Sequence, residues 1–312
     1  MGSILACLEI KDFNFFEEVM ISVIIVTFNS EKFIRSCIKS VISSFIKESY
    51  EIIVVDNCSK DNTVKIMYEE FKKVRLIRLT KNKGFAYANN VAFERSKGEY
   101  ITLLNPDTIV TKGAFEKMAD FLSENDDVGM VGAKLKNFDG SLQLSCRRFP
   151  NYLNVFFGRK SLIRNIFPDN PISRDFMLEN LDYDRLQDVD WMMGAAVMMK
   201  REIVERIGLF DEDYKLFVED TDLCFRIRKA GKRVVFLPDA VVFHYHGASV
   251  KEGFSKAQVY HNIGMFNFFK KNFIKTPILK SIFYCGIIIR LYFVFLFSIL
   301  GKFFSYIKEK EI

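Results

Sequence analysis

The chain has 312 residues, 49% of them apolar, and a net charge of +6. That length holds one large domain or two modest ones around a packed core, and the composition excludes a disordered chain. The six cysteines are scattered, with no CxxC pair and no metal-finger spacing, which excludes a disulfide scaffold and points to a reducing compartment.

The first twenty residues carry Glu9, Asp12, Glu17 and Glu18 and lack a basic start, so they do not read as a secretory signal. Ala6 stands where a myristoylation motif requires Ser or Thr, and Met20 is an alternative start, because the first clear strand begins at Ile21. From there short apolar runs alternate with helix-period stretches. ISVIIVTF precedes EKFIRSCIKSVISSF, YEIIVVD precedes NTVKIMYEEFKK, VRLIRL precedes GFAYANNVAFERSKG, and EYITLLN precedes TKGAFEKMADFLSE and VGMVGAKL. Continuous Val/Ile/Leu runs of this kind are strands covered on both faces, so the expected class is a doubly wound α/β unit with a mostly parallel sheet. Ligands of such sheets bind beyond the carboxyl ends of the strands.

The polar clusters sit at those ends. In VVDNCSKDNT, Asp56 closes a buried strand and can accept hydrogen bonds from a base or ribose, whereas Asp61, Asn62 and Thr63 suffice to cap the following helix. In NKGFAYANN, Gly84 admits close backbone approach, and Asn89 and Asn90 lie near a helix start, where a phosphate or ribose is met as readily as an ordinary helix entry is made. In LLNPD, Pro106 ends the ladder after Asn105 and presents Asp107, either as a turn residue or as a ligand of a divalent metal that neutralises a diphosphate. No GxGxxG or GxxxxGK[ST] occurs, which disfavours dinucleotide enzymes and P-loop NTPases.

From Lys136 to Asp190 prolines and mixed polarity suggest loops or a lid, in which Arg147 and Arg148 either face phosphates or are simply solvated. VDWMMGAAVMMK is read as one strand and REIVERIGLF as a short helix. EDTDLCFRIRKAG is a helix with Glu219, Asp220 and Asp222 in its first turn, more acids than capping requires, and one of them suits a general base. HYHGAS follows an apolar strand, and His244 and His246 share a face there, either simply facing solvent or forming a metal set with a nearby carboxylate. Beyond it the α/β pattern ends. From Val250 onward ten lysines and arginines face three glutamates, and residues 281–301 contain 13 Ile, Leu, Phe and Val against the single charge of Arg290. At roughly −0.3 to −0.6 kcal/mol for each apolar residue against about +2.5 to +3.5 for the arginine, insertion into a membrane is permitted. A span, an in-plane helix and a subunit interface all stay open.

These clusters, in this order and spacing, make residues 21–250 resemble glycosyltransferase family 2, the inverting enzymes of GT-A fold, and within it rhamnosyltransferases that extend lipid-linked or cell-wall glycans. The resemblance implies a GT-A domain, Rossmann-like with a mostly parallel sheet flanked by helices, over residues 20–250, and a hydrophobic helical tail over residues 251–312 at the cytoplasmic face of a membrane. It implies a nucleotide-diphosphate sugar donor near Thr27, Asn29, Asp56, Gly84 and Asn105. It places a Mn2+ or Mg2+ ion on Asp107 and His244, with His246 as the fallback, and the catalytic base on Asp220 with Glu219 beside it. Asn105 replaces the first Asp of the family's DxD-type motif and leaves one carboxylate there. Trp191 and Gly194 would line the site of a glycan or lipid-linked acceptor. A QxxRW motif is missing, which favours single additions. Nucleic acid is not an expected partner, and a homo-oligomer is left open. A sugar-phosphate nucleotidyltransferase would want a Gly-rich basic loop where VTFNSEKF stands, and a non-catalytic nucleotide-binding membrane scaffold would need none of Asp107, Asp220 and His244.

Overall fold

Every residue of β1 (Ile21–Thr27) is buried, as the continuous apolar run requires of a strand covered on both faces. The computed structural model describes residues 21–47, 49–152, 154, 170–245 and 254–292. β2 (Tyr50–Asp56) and β4 (Tyr100–Leu104) flank β1 in parallel, with Thr27 opposite Asp56 and Ile25 opposite Leu104, and β3 (Arg75–Arg78) runs parallel outside β2. The side chains of β1 alternate faces: Val23 and Ile25 join a core with α1 (Ile34–Ser44), α2 (Thr63–Glu70) and α4 (Ala114–Glu124). Ile24 and Val26 join a second core with α3 (Phe85–Phe93), α6 (Arg201–Ile207) and α7 (Glu219–Lys229). Between α4 and α6 lies the short α5 (Pro171–Phe176).

The second half of the sheet departs from simple alternation. β6 (Val128–Lys136) does not pair with β4; β10 (Ala196–Lys200) lies between them, antiparallel to both, so β6 regains the direction of β4. β11 (Arg233–His244) is parallel to β6, with a register shift between Leu237 and Val241, where Pro238 interrupts the ladder. Two short strands pair antiparallel with β11: β5 (Thr108–Val110), which starts right after Asp107, and β8 (Gln187–Asp188). The stretch expected as one strand from Val189 is two. β9 (Trp191–Met192) leaves the main sheet to pair with β7 (Cys146–Arg147), and the chain turns at Gly194 before β10. A Cβ on Gly132 of β6 would lie 1.7 Å from the Met192 sulfur, so the absence of a side chain there seats β9 on the sheet.

At the C-terminal side, α8 (Phe254–Asn272) and α9, described over residues 277–292, form a third apolar cluster with Tyr214 and Val218 through Met265, Phe268, Phe269, Phe283 and Ile287. Lys271 of α8 pairs with Asp211 and, at 2.7 Å, with Asp213. Among the described residues no helix is long and apolar enough to cross a membrane; residues 293–301 of the hydrophobic stretch lie outside them.

The close seating of β1 on β4 depends on Gly98, whose N–H donates to Ser22 Oγ at 2.7 Å. A Cβ there would lie 2.5 Å from the Ser22 backbone nitrogen. Gly98→Ala should destabilise the chain by roughly 1–3 kcal/mol, read as a lower denaturant midpoint at unchanged slope; an unchanged midpoint would contradict this packing.

Candidate active site

The carboxyl ends of β1, β2 and β4, the start of β10 and the end of β11 meet along one sheet edge, because β10 runs opposite to β4 with Ala196 beside Leu104. At the β1–β2 end, Asp56 is 2% exposed. Its carboxylate accepts from the Thr27 hydroxyl at 3.2 Å and from the Ser59 N–H at 3.0 Å. Asn29, with φ 52°, receives the Lys60 N–H on its Oδ1 at 2.8 Å and donates its own N–H to Ser59 Oγ. It therefore stitches the two loops together, in a left-handed conformation that Asn tolerates. Gly84 caps α3 with φ +97°, and a Cβ there would meet the Lys215 carbonyl at 3.1 Å. Asn57 supports it, donating to Asn82 Oδ1 and to the Gly84 carbonyl. The amides of Asn89 and Asn90 serve the protein itself: Asn89 donates to Phe85 O, and Asn90 bridges Phe210 and Glu212.

One strand over, the structure brings Asn105, Asp107 and His244 together. Asp107 and His244 are both buried, with His244 Nε2 3.4 Å from Asp107 Oδ1 and 3.5 Å from Asn105 Nδ2. The Tyr245 N–H donates to the Asp107 carbonyl at 2.9 Å, and the Thr108 hydroxyl closes the turn onto the Asn105 carbonyl at 2.7 Å. A neutral imidazole nitrogen and a carboxylate facing each other form a donor set suited to a divalent cation, whose other positions fall to water or phosphate oxygens. Among the described residues no third His, Cys, Asp or Glu joins them. His246 lies outside the described residues.

The acidic turn lies a short backbone path away. The Asn105 N–H donates to the Ala195 carbonyl at 2.9 Å, and the neighbouring Gly194 N–H points at Asp220 Oδ2 at 3.4 Å. The three acids of α7 have three roles. Asp222 is tied to Arg226 at 2.7 Å and to the Tyr214 hydroxyl at 3.1 Å. Asp220 accepts N–H groups from Thr221 and Gly194. Glu219 is 7% exposed and its Oε2 has no hydrogen-bond partner. Burial, then the neighbouring Asp220 charge, pushes the Glu219 carboxyl up to about 8, and burial raises Asp220 as well. Donors favour the charged form of the group they serve, so Asp220 holds the anion and Glu219 the proton.

Ahead of this pair, Phe217 and Val218 have φ 68° and 73°, strained for bulky and β-branched residues at about 1–3 kcal/mol each. Gly264 of α8 lies against them: a Cβ there would be 3.0 Å from Val218 Cγ2 and 3.2 Å from the Phe217 carbonyl. Trp191 presents part of its ring and ties its N–H to the Arg148 carbonyl at 2.7 Å. Arg147 is buried at 4% exposure, whereas Arg148 is exposed and lies 3.7 Å from Asp175. Gln143, in the irregular stretch, was invisible to motif reasoning; it is 7% exposed and holds both the His244 ring and the His244 carbonyl.

The family model described as glycosyl transferase family 2 matches residues 22–208. The chain is 27% identical over 209 residues to the N-acetylglucosaminyl-diphospho-decaprenol L-rhamnosyltransferase of Mycobacterium tuberculosis, covering 64% of this chain and 67% of the relative. It is 25% identical over 254 residues to the rhamnosyltransferase WbbL of Escherichia coli, covering 78% and 89%. Among solved structures, the mannosyltransferase PcManGT of Pyrobaculum calidifontis, in complex with GDP-Man and Mn2+, superposes with a TM-score of 0.55 at 20% identity, over 87% of this chain and 70% of that one. TarS of Staphylococcus aureus in complex with UDP-GlcNAc gives 0.54 at 18%, over 85% and 69%. These likenesses show the expected fold class, a GT-A-like α/β sheet flanked by helices.

Glu219 generates a pH test. Its folded carboxyl holds a proton between its ordinary 4.5 and about 8, where the unfolded chain does not, so this group makes stability fall as pH rises through that window, at no more than about 1.4 kcal/mol per pH unit. Glu219→Gln should flatten the decline, narrowing the difference in melting temperature between about pH 5 and pH 8. A variant as pH-sensitive as the wild type would show that Glu219 is not the buried acid.

Proposed function

The chain belongs to glycosyl transferase family 2, and from that premise we propose that it is an inverting, metal-dependent transferase that moves a sugar, rhamnose in our reading, from a nucleotide diphosphate to a hydroxyl of a lipid-linked or glycan acceptor. Glycosyl transfer from a nucleotide sugar is the activity of the family and of the transferases it resembles. The observation that carries the finer reading is the meeting of Asp107 with His244 at the edge where Gly194 presents its N–H to Asp220. The rhamnosyl donor is supported by the names of both relatives, and the lipid-diphosphate acceptor by the name of the mycobacterial one.

The chain's own groups account for the chemistry as follows. Thr27, Asn29 and Asp56 form the nucleoside end of the edge, and Gly84 lets the backbone approach there. Asp220, kept ionised by the Thr221 and Gly194 N–H groups, takes the proton of the acceptor hydroxyl as its oxygen attacks the anomeric carbon. The bond to the diphosphate breaks with its electron pair on the phosphate oxygen, on the face opposite the attack, so the configuration inverts. Glu219 stays neutral beside the base and adds no second negative charge against the diphosphate. The partly exposed ring of Trp191 offers an apolar face to an acceptor sugar. When bound on Asp107 and His244, with Asn105 alongside, Mn2+ or Mg2+ supplies positive charge to the departing diphosphate.

The same proposal seats the protein on the cytoplasmic face of a membrane. Along α9, Ile278, Ile282, Cys285, Ile289 and Tyr292 are exposed at spacings of four and three residues, while Lys270, Lys275 and Lys280 are exposed nearby. An apolar stripe with basic flanks suits an anionic bilayer surface. Truncation from about residue 275 would also strip Phe283 and Ile287 from their packed cluster, so surface charges are the cleaner test. Ile282→Glu with Ile289→Glu should move the protein from sedimenting anionic vesicles to the supernatant with its melting temperature unchanged; persistent sedimentation would reject the seat.

For the chemistry, hydrolysis and transfer are to be screened across thymidine, uridine and guanosine diphosphate sugars with and without Mn2+. Asp220→Asn should cost about 10²–10⁴-fold in turnover while metal-dependent nucleotide binding by calorimetry is retained. Near-normal transfer by that variant would remove Asp220 from the role of base, and nucleotide binding indifferent to Mn2+ would favour a non-catalytic scaffold.

A further inference from the structure

The ring of His244 is held by a directional hydrogen-bond chain that begins on the turn after β6. Gln143 returns from that turn to the edge of β6, its N–H on the Leu135 carbonyl at 2.9 Å, while Phe243 of β11 lies opposite Lys136. The Gln143 amide nitrogen donates at 2.6 Å to the His244 carbonyl and at 2.6 Å to Asn137 Oδ1. A backbone carbonyl only accepts, so the amide cannot be flipped, and both of its N–H donors are committed. Gln143 Oε1 therefore faces His244 Nδ1, at 2.9 Å, as an acceptor.

The polarity of Asn137 is set in the same way. The Ser141 hydroxyl gives its proton to Asp139 Oδ1 at 2.6 Å and so accepts from Asn137 Nδ2 at 2.8 Å, leaving Asn137 Oδ1 for Gln143. Each link is consistent with the next, from the Asp139 carboxylate inward to the imidazole. In the neutral ring an Nδ1 that donates leaves Nε2 with its lone pair, and Nε2 is the nitrogen that faces Asp107 Oδ1 at 3.4 Å. An imidazole lone pair and a carboxylate facing each other are brought together favourably by a cation between them.

We propose that Gln143 is a positioning residue, aligned by Asn137, that holds His244 in the Nδ1–H tautomer and so keeps Nε2 unprotonated, able to bind a divalent cation together with Asp107. The proposal rests on the cation site proposed above, and groups behind a ligating histidine commonly matter 10–100-fold for affinity. The Asp107 side supplies the charge; Gln143 supplies the orientation.

The test has one arm that needs no metal and no substrate. Long-range 1H–15N correlation on the metal-free full chain, at a pH where imidazole is neutral, reads each ring nitrogen of the three histidines, with His244→Asn identifying the signal. The expected result is His244 protonated at Nδ1 and bare at Nε2. Protonation at Nε2 overturns the proposal whether or not any variant folds. In the second arm MnCl2 alone is titrated and free Mn2+ is followed by electron paramagnetic resonance. Gln143→Ala should weaken Mn2+ binding about 10–100-fold and shift His244 to mixed protonation, with Asn137→Ala giving a smaller loss. Unchanged Mn2+ affinity in folded Gln143→Ala also overturns it. If the wild type shows the Nδ1–H tautomer yet binds no Mn2+, the cation site itself fails, and with it the purpose assigned to Gln143; that outcome is distinct from a wrong tautomer.

Discussion

Three ladder pairs hold the site together: Val242 opposite Val110, Phe243 opposite Ile109 and His244 opposite Thr108. β5 begins directly after Asp107, so the antiparallel register of this short strand on β11 dictates how far His244 stands from the carboxylate. The Thr108 hydroxyl on the Asn105 carbonyl and the Tyr245 N–H on the Asp107 carbonyl lock both ends of the turn. A slip of one residue would send the imidazole to the opposite face of the sheet. Pro106 contributes by ending β4 there, so that the chain is free to turn and pair with a different neighbour.

The acidic turn shows how two adjacent carboxyls come to differ. Glu219 and Asp220 share a buried environment that disfavours both charges, and hydrogen bonding decides between them: Asp220 has backbone donors from Thr221 and Gly194, and Glu219 Oε2 has none. The turn that delivers them is strained at Phe217 and Val218 and is pressed from outside by α8 at Gly264. Lys271, paired with Asp211 and Asp213, adds a second tie between α8 and the same loop. The helices beyond the α/β pattern thus pack on the segment that aims the base, and a disturbance of their seat would be felt at Asp220.

Much of this was legible in the residues. Strands such as Ile21–Thr27 and Tyr50–Asp56 show as unbroken apolar runs because both their faces are covered. Asp56, Asp107 and Asp220 stand out because a carboxylate at the end of an apolar run, or crowded with two others at a helix start, is costly unless it has work to do. Asn89 and Asn90 carried the same kind of polar signal, yet their amides are spent on Phe85, Phe210 and Glu212. Gln143 carried no signal at all, since a single amide in an irregular stretch gains its meaning only from the histidine 101 residues further on.

The sequence by itself determined the alternation of strands and helices, the polar groups at the strand ends and the apolar, basic character of the C-terminal helices, because these are properties of neighbouring residues whose spacing of two or about 3.6 is local. Only the tertiary structure decided that β10 inserts antiparallel between β4 and β6, that β9 peels away over Gly132, and that Gln143, Asp107 and His244 meet. Those outcomes depend on register and packing between segments far apart in the chain. No local pattern encodes which distant edge a strand will find, or which acceptor an amide will face when it arrives.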